Sequence, residues 1–233
     1  MKVKAVIFDL DGTIAKFNID YRAVRADVRS LLIRAGMPAS TLSTNESIFE
    51  MLKKTEIFMK NNGQNEEAIA KICSEALEIA EKYELEAAKY TSPFPGVKET
   101  LKALKEMGLK LGLCTINSEK SAEFILKRFR ISEFFDALTP RNKVKNVKPN
   151  TEHLEATLKA LDVKPQETVV VGDSANDMKC ARDLGAIAVG ITTGVSSPKE
   201  LISSGANYMI TSITDLPTLI GYINKKMEEQ SEN

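Results

Sequence analysis

The distribution of apolar residues divides the chain into stretches typical of strands and a stretch with helical periodicity. Residues 3–8 are mainly apolar, as in a buried strand. From about residue 19 to residue 90, apolar residues recur at helical spacing and runs of β-branched residues disappear. After a turn-forming segment at residues 92–96, helical segments alternate with short apolar runs. This alternation predicts a parallel α/β sheet.

The alternating part contains five predicted helices and five predicted strands after the first. The helices are residues 97–107, 119–129, 151–161, 175–184 and 215–227, and the strands are residues 109–114, 137–138, 168–171, 187–189 and 208–210. Because the sheet starts with the first strand, the helical segment interrupts one domain. We predict an α/β fold in which a Rossmann-like parallel sheet core, residues 1–15 and 92–233, carries an inserted helical domain of about three helices, residues 16–91.

Composition and charge exclude several classes of protein. Among 233 residues, 32 basic and 32 acidic side chains cancel, so no overall field favours binding to nucleic acid or to a membrane. No apolar stretch approaches the roughly 20 residues that cross a bilayer, and we expect a cytoplasmic protein. His153 is the only histidine, which excludes a metal site with several histidines. Three scattered cysteines, predicted to be buried thiols, are Cys73, Cys114 and Cys180.

Two acidic residues, Asp9 and Asp11, stand where the first strand is expected to end. Residues i and i+2 of a strand face the same side, so both carboxylates are expected at the carboxyl edge of the sheet, where such folds bind ligands. Two adjacent carboxylates repel each other unless a proton or a cation lies between them. The pair therefore suits a Mg²⁺ site, or a nucleophile with an acid/base partner. An ordinary Asp-Gly turn is the alternative.

Polar residues also follow two later strands. Thr115 and Asn117 precede a predicted helix, whose N-terminus suits a phosphate group, although Thr115 or Ser118 could simply cap that helix. Lys148, held next to a proline, could neutralise a phosphoryl group or could be a solvated loop lysine.

Asp173 and Asp177 follow the predicted strand at residues 168–171. Carboxylates at this position could complete a Mg²⁺ site made only of oxygen ligands. The alternative is that Asp173 or Ser174 caps the next helix.

Taken together, residues 9–13, Thr115, Lys148 with its proline, and residues 172–177 resemble the four motifs of the haloacid dehalogenase superfamily of phosphohydrolases, in order and in approximate spacing. The resemblance spans nearly the whole chain. It implies that residues 16–91 form a helical cap of the first type. Residues 93–97 are similar to the corresponding segment of phosphoglycolate phosphatase-like members.

The resemblance also implies a mechanism. Asp9 would be the nucleophile that forms an aspartyl-phosphate, and Asp11 would be the general acid and base. Mg²⁺ would be held by the Asp9 carboxylate, the Asp11 backbone carbonyl and Asp173. Asp177 would either bind the ion directly or lie in the second coordination sphere. The residues expected to bind phosphate are Thr115, Ile116, Asn117 and Lys148. Many relatives have asparagine directly after the threonine, whereas here Ile116 intervenes, so the role of Asn117 stays open.

The expected function is that of a Mg²⁺-dependent phosphatase acting on a small, phosphoglycolate-like phosphomonoester, as a monomer or homodimer without nucleic-acid or membrane partners. A sugar phosphomutase resembling β-phosphoglucomutase keeps both acids and is the main alternative. A non-catalytic phosphate-binding protein is a further alternative. A two-component receiver domain would carry its acceptor aspartate on the third strand and would be about half this length.

Overall fold

The structure, a computed structural model, describes residues 2–16 and 18–229. The chain divides into two compact units, one formed by residues 1–17 together with 91–233 and the other by residues 18–90. None of the helices in the described part of the chain is long and apolar enough to span a membrane.

The smaller unit contains three α-helices, α1 (Tyr21–Arg34), α2 (Ile48–Asn61) and α3 (Glu66–Tyr90). Asp20 accepts hydrogen bonds at the start of α1, and a capping box between Ser47 and Glu50 begins α2. The apolar faces of all three helices share one core, which includes Val28, Leu32, Met51, Ala76 and Ala80. Cys73 on α3 is half-buried and packs against this core, whereas Cys114 and Cys180 are fully buried.

The larger unit is built on a six-stranded sheet with all strands parallel. Its strands are β1 (Ala5–Phe8), β2 (Lys110–Thr115), β3 (Ala137–Pro140), β4 (Thr168–Gly172), β5 (Ile187–Ile191) and β6 (Tyr208–Ile210). They lie in the order β3-β2-β1-β4-β5-β6. The predicted Rossmann-like parallel sheet is confirmed. β3 and β5 are longer than predicted because pairing with neighbouring strands extends them.

Six helices follow in the same unit. They are α4 (Val97–Glu106), α5 (Glu119–Phe129), α6 (Thr151–Leu161), α7 (Ala175–Leu184), α8 (Pro198–Ser203) and α9 (Leu216–Glu229). α8 was not predicted, because a helix of only six residues is too short to show a clear apolar period. Its start is nevertheless marked in the sequence, because Ser197 and Glu200 form a capping box around Pro198 at the first helical position.

The central strands are buried and their ends are aligned. All four residues of β1 and all five of β4 are buried, as expected for parallel strands covered on both faces. Ile7 shares a core cluster with Leu154 of α6 and Met178 of α7. β1 pairs in register with β2 on one side and β4 on the other, so residues that follow these three strands lie at one edge. The strand order reverses between β1 and β4, which is where such sheets form a ligand crevice.

Candidate active site

Three carboxylates come together at this edge of the sheet. Asp9 follows β1 and donates its backbone N–H to Val171 of β4, Asp173 follows β4, and Asp177 lies in the first turn of α7. One carboxylate oxygen of each lies within 4.8 Å of the others. The Asp9 side chain is 12% exposed and that of Asp177 is 2% exposed. The site therefore concentrates negative charge in a place that water scarcely reaches.

Lys148 supplies a cation to this cluster. Its Nζ donates to Asp9 Oδ1 at 2.7 Å, to Asp177 Oδ1 at 2.6 Å and to the backbone carbonyl of Cys114 at 2.8 Å. Although burial opposes the charged form, the carboxylates of Asp177 and Asp9 raise the pKa of Lys148 well above its ordinary value. Lys148 is therefore a charged member of the cluster, and the alternative of a solvated loop lysine is wrong.

His153 holds the loop that carries Lys148. Its Nδ1 accepts a hydrogen bond from the Lys148 backbone N–H at 3.4 Å, and its Nε2 lies 3.0 Å from the Thr139 carbonyl, to which it donates. Burial, with a smaller effect of the Lys148 charge, lowers the pKa of His153 to about 4. A neutral ring with its proton on Nε2 satisfies both contacts. This role of His153 was not predicted from the sequence.

One ammonium does not balance three carboxylates. Burial raises the pKa of Asp9 to about 6, against the opposing effect of Lys148. Burial also raises the pKa of Asp173 to about 8, and the negative charges of Asp9 and Asp177 add to this shift. The cluster thus lacks positive charge, and its donors are carboxylate oxygens, the ligands that hard divalent cations prefer. These residues fit a Mg²⁺ ion.

A loop after β5, residues 192–197, positions Asp173. The backbone N–H of Val195 donates to Asp173 Oδ2 at 2.8 Å, and Thr13 Oγ1 donates to Asp173 Oδ1 at 3.5 Å. A Cβ at Gly194 would lie 1.8 Å from Asp173 Oδ2, so only glycine lets the loop approach so closely. This loop was not predicted, although a glycine among polar residues after a buried strand was an available signal.

The two acids of the first motif make different contacts. β1 ends at Phe8, and Gly12 has a φ of +80°, so Asp9 and Asp11 lie in a turn and the alternation of a strand does not apply to them. Asp9 contacts Lys148, whereas Asp11 Oδ2 accepts a hydrogen bond of 2.8 Å from Asn117 Nδ2. Asp11 contributes no carboxylate oxygen to the cluster of three.

The segment after β2 is ordered by its own hydrogen bonds. Thr115, the last residue of β2, accepts at Oγ1 from the Asn117 backbone N–H at 3.2 Å. Ser118 is the N-cap of α5, so the alternative of Thr115 as the cap is wrong. Arg141 binds this segment through its Nη1 to the Ile116 carbonyl at 3.0 Å and through its backbone N–H to the Asn117 carbonyl at 3.1 Å. Arg141 itself is buried.

Ser174, rather than Asp173, caps α7. Ser174 Oγ accepts from the Asp177 backbone N–H at 3.3 Å, and Asp177 Oδ2 accepts from the Ser174 backbone N–H at 3.2 Å. Because the other oxygen of Asp177 binds Lys148, the capping box fixes this carboxylate in the cluster.

Comparison with known proteins identifies the family of this chain. Residues 6–191 match the family model of the haloacid dehalogenase-like hydrolases. The chain is 27% identical to pyrophosphatase PpaX of Bacillus mycoides, over 96% of this chain and 100% of the relative. It is 34% identical to pyrophosphatase PpaX of Halalkalibacterium halodurans over 57% of this chain and 62% of that one.

A solved structure, β-phosphoglucomutase of Clostridium difficile, superposes with a TM-score of 0.67 at 22% identity and covers 99% of this chain and 100% of its own. This likeness concerns the fold. The family predicted from the four motifs is confirmed, and with it the hydrolase class. Since the family model spans most of its length, this chain belongs to the haloacid dehalogenase-like hydrolases.

Proposed function

We propose that this protein is a Mg²⁺-dependent phosphatase that transfers the phosphoryl group of a small substrate to Asp9 and then to water. One observation carries the proposal. Asp9 lies at the carboxyl end of the central strand β1, within 2.7 Å of the Lys148 ammonium and in a cluster with Asp173 and Asp177. A carboxylate nucleophile beside fixed positive charge suits phosphoryl transfer, which depends chiefly on positioning and electrostatics.

Asp9 and Asp173 would hold the metal ion, with the Asp11 backbone carbonyl as the resemblance to the family implies. We propose that Asp177 does not bind the ion directly, since its two carboxylate oxygens already accept hydrogen bonds from Lys148 and Ser174. When bound, Mg²⁺ would neutralise negative charge between the nucleophile and the phosphoryl oxygens.

The reaction proceeds in two displacements. A carboxylate oxygen of Asp9 forms a bond to phosphorus, the bond from phosphorus to the leaving oxygen breaks, and Asp11 donates its proton to that oxygen. In the second displacement Asp11 takes a proton from water as the water oxygen attacks phosphorus. The bond between phosphorus and Asp9 then breaks, which releases inorganic phosphate and restores both carboxyl groups.

The phosphoryl oxygens would be bound by Thr115, Lys148 and the backbone N–H of Ile116. Thr115 Oγ1 accepts a hydrogen bond from the Asn117 backbone N–H, so the hydroxyl keeps its own proton for donation to a phosphoryl oxygen. The Asn117 backbone N–H is used in the same contact, which favours Ile116 as the backbone donor.

For the substrate we propose a small anionic phosphate compound. Phosphoglycolate is the candidate from the sequence motifs. Pyrophosphate is a second candidate substrate, because a relative that this chain covers over its whole length is named a pyrophosphatase. We assign residues 18–90 the role of the cap that selects the leaving group, by analogy with the family. A sugar phosphomutase is the second candidate, favoured by the superposition on β-phosphoglucomutase and by the presence of both Asp9 and Asp11.

The test measures phosphate release from phosphoglycolate, pyrophosphate, nucleoside monophosphates and sugar phosphates, with Mg²⁺ and with a chelator. We expect release only with Mg²⁺ and a loss of at least about 10³-fold in Asp9→Asn. Asp183→Asn is the matched control, because Asp183 is an exposed acid of α7 that pairs with Arg182. Interconversion of glucose 1-phosphate and glucose 6-phosphate without net phosphate release would favour the mutase, and no reaction of any kind would contradict both candidates.

A further inference from the structure

A buried hydrogen bond links the first motif to the segment after β2. Asn117 Nδ2 donates to Asp11 Oδ2 at 2.8 Å, between residues 106 positions apart in the chain. Asn117 is 1% exposed and Asp11 is 9% exposed. A hydrogen bond in such buried surroundings is stronger than one on the surface, so it constrains the orientation of the Asp11 carboxyl group.

The backbone of Asn117 is held by hydrogen bonds of its own. Its backbone N–H donates to Thr115 Oγ1 at 3.2 Å, and its carbonyl accepts from the Arg141 backbone N–H at 3.1 Å. The next residue, Ser118, begins α5 as its N-cap. These contacts fix the backbone on both sides of Asn117. A fixed backbone restricts where the Asn117 side chain can lie.

We propose that Asn117 is a positioning residue for the acid/base group Asp11, and that it is not a ligand of the phosphoryl group. The inference rests on the proposed phosphatase function. An amide N–H at Oδ2 disfavours a proton on that oxygen, so the proton that Asp11 transfers resides on Oδ1. Oδ1 gives this proton to the leaving oxygen in the first displacement and receives one from water in the second.

The two roles for Asn117 predict different kinetics. A phosphate ligand acts equally on all esters and on inorganic phosphate, because every one of them carries the same group. A residue that orients the general acid matters only where the leaving oxygen needs a proton. Phenyl phosphate and 4-nitrophenyl phosphate are close in shape, and they differ in how readily the leaving group departs unprotonated.

The experiment compares kcat/KM on these two esters, with Mg²⁺, for the wild type, Asn117→Ala, Thr115→Val and Asn142→Ala. The quantity kcat/KM reports the steps up to departure of the leaving group, so hydrolysis of the aspartyl-phosphate does not mask the result. Asn142 is the matched control, since its side-chain oxygen accepts a hydrogen bond from the backbone N–H of Glu119, at the start of the same helix α5. Inhibition by inorganic phosphate is measured for each variant.

For Asn117→Ala we expect a loss of about 10²-fold on phenyl phosphate, a loss of less than about threefold on 4-nitrophenyl phosphate, and unchanged inhibition by inorganic phosphate. A pre-steady-state burst of 4-nitrophenolate should appear, because the second displacement still needs Asp11 as a base. Thr115→Val should lose activity on both esters and bind inorganic phosphate more weakly. Asn142→Ala should behave as the wild type.

Equal losses on the two esters, with or without weaker inhibition by phosphate, would overturn the inference, and so would an Asn117→Ala variant as active as the wild type. If Asn117→Ala does not fold, Asn117→Ser takes its place, since serine is too short to reach Asp11. A wild-type chain that hydrolyses neither these two esters nor any compound of the phosphate panel would instead overturn the proposed function itself, so the two failures are distinguishable.

Discussion

The ammonium group of Lys148 lies 2.7 Å from Asp9 Oδ1, across 139 positions of the chain. Lys148 also binds Asp177 at 2.6 Å. One buried cation therefore joins Asp9, which follows β1, to Asp177, which lies in the first turn of α7. The Lys148 ammonium therefore has two roles. It stabilises the fold by binding Asp9 and Asp177, and it places a positive charge beside Asp9, the proposed nucleophile.

Replacing Lys148 with methionine should lower the stability of the fold. Lys148→Met leaves Asp9 and Asp177 buried without their ammonium partner, and we expect a loss of about 3–5 kcal/mol in the free energy of unfolding without Mg²⁺. Added Mg²⁺ should restore part of it. Urea denaturation with and without the ion measures both effects. Lys105→Met is the control, since the half-exposed Lys105 pair with Asp136 should contribute less than about 1 kcal/mol. Equal losses in the two variants would contradict the prediction.

Mg²⁺ affinity should rise with pH up to about pH 8. The pKa of Asp173 is raised to about 8, so below that pH the folded, metal-free chain holds a proton there that the ion must displace. Each unit of pH below 8 should weaken binding by up to about tenfold. Calorimetry in two buffers with different ionisation enthalpies gives both the affinity and the number of protons released. Binding that is independent of pH and releases no proton would disagree with this account.

His153 should make a contribution to the stability of the fold that is lost in mild acid. Its pKa is lowered to about 4 in the fold, against an ordinary value of 6.5. Between these values the unfolded chain binds the extra proton, so this contribution to stability is present above pH 6.5 and is lost as pH falls towards 4.

We expect His153 to account for a loss of about 2 kcal/mol between pH 7 and about pH 5. His153→Gln should lack this part of the pH dependence in urea denaturation. Asp9 and Asp173, whose pKa values are raised, act in the opposite sense in both proteins, so the difference between the two proteins isolates the histidine. Parallel pH profiles would show that His153 is not the cause.

Alanine at Gly194 should damage the metal site. Its Cβ would lie 1.8 Å from Asp173 Oδ2, so either the loop or the carboxylate must move. We expect Mg²⁺ affinity to fall by about 10–100-fold in Gly194→Ala, measured by calorimetry. Gly221→Ala is the control, because Gly221 lies in α9 with nothing within 4 Å of the added Cβ, and it should raise stability by about 0.5–1 kcal/mol. Wild-type affinity in Gly194→Ala would show that the loop adapts.

Much of the fold follows from local patterns. The apolar runs at β1 and β4 and the helical periods of α5, α6 and α7 predict these elements nearly to the residue, because burial and period depend on neighbours along the chain. The parallel arrangement then places Asp9, Thr115 and Asp173 at one edge of the sheet. The order of four motifs identifies the family without any coordinates.

Only the tertiary structure decides which side chains meet at that edge. The contacts of Asp11 with Asn117, of Lys148 with Asp9 and Asp177, and of Asp173 with Val195 depend on how separate loops pack. The hydrogen bond from the Lys148 backbone N–H to His153 spans only five residues. Periodicity does not predict it either, because it forms within a loop and not within a regular helix or strand. Sequence periodicity therefore determined the strands and the edge where the candidate site lies, whereas long-range packing determined the partners and the charge balance within it.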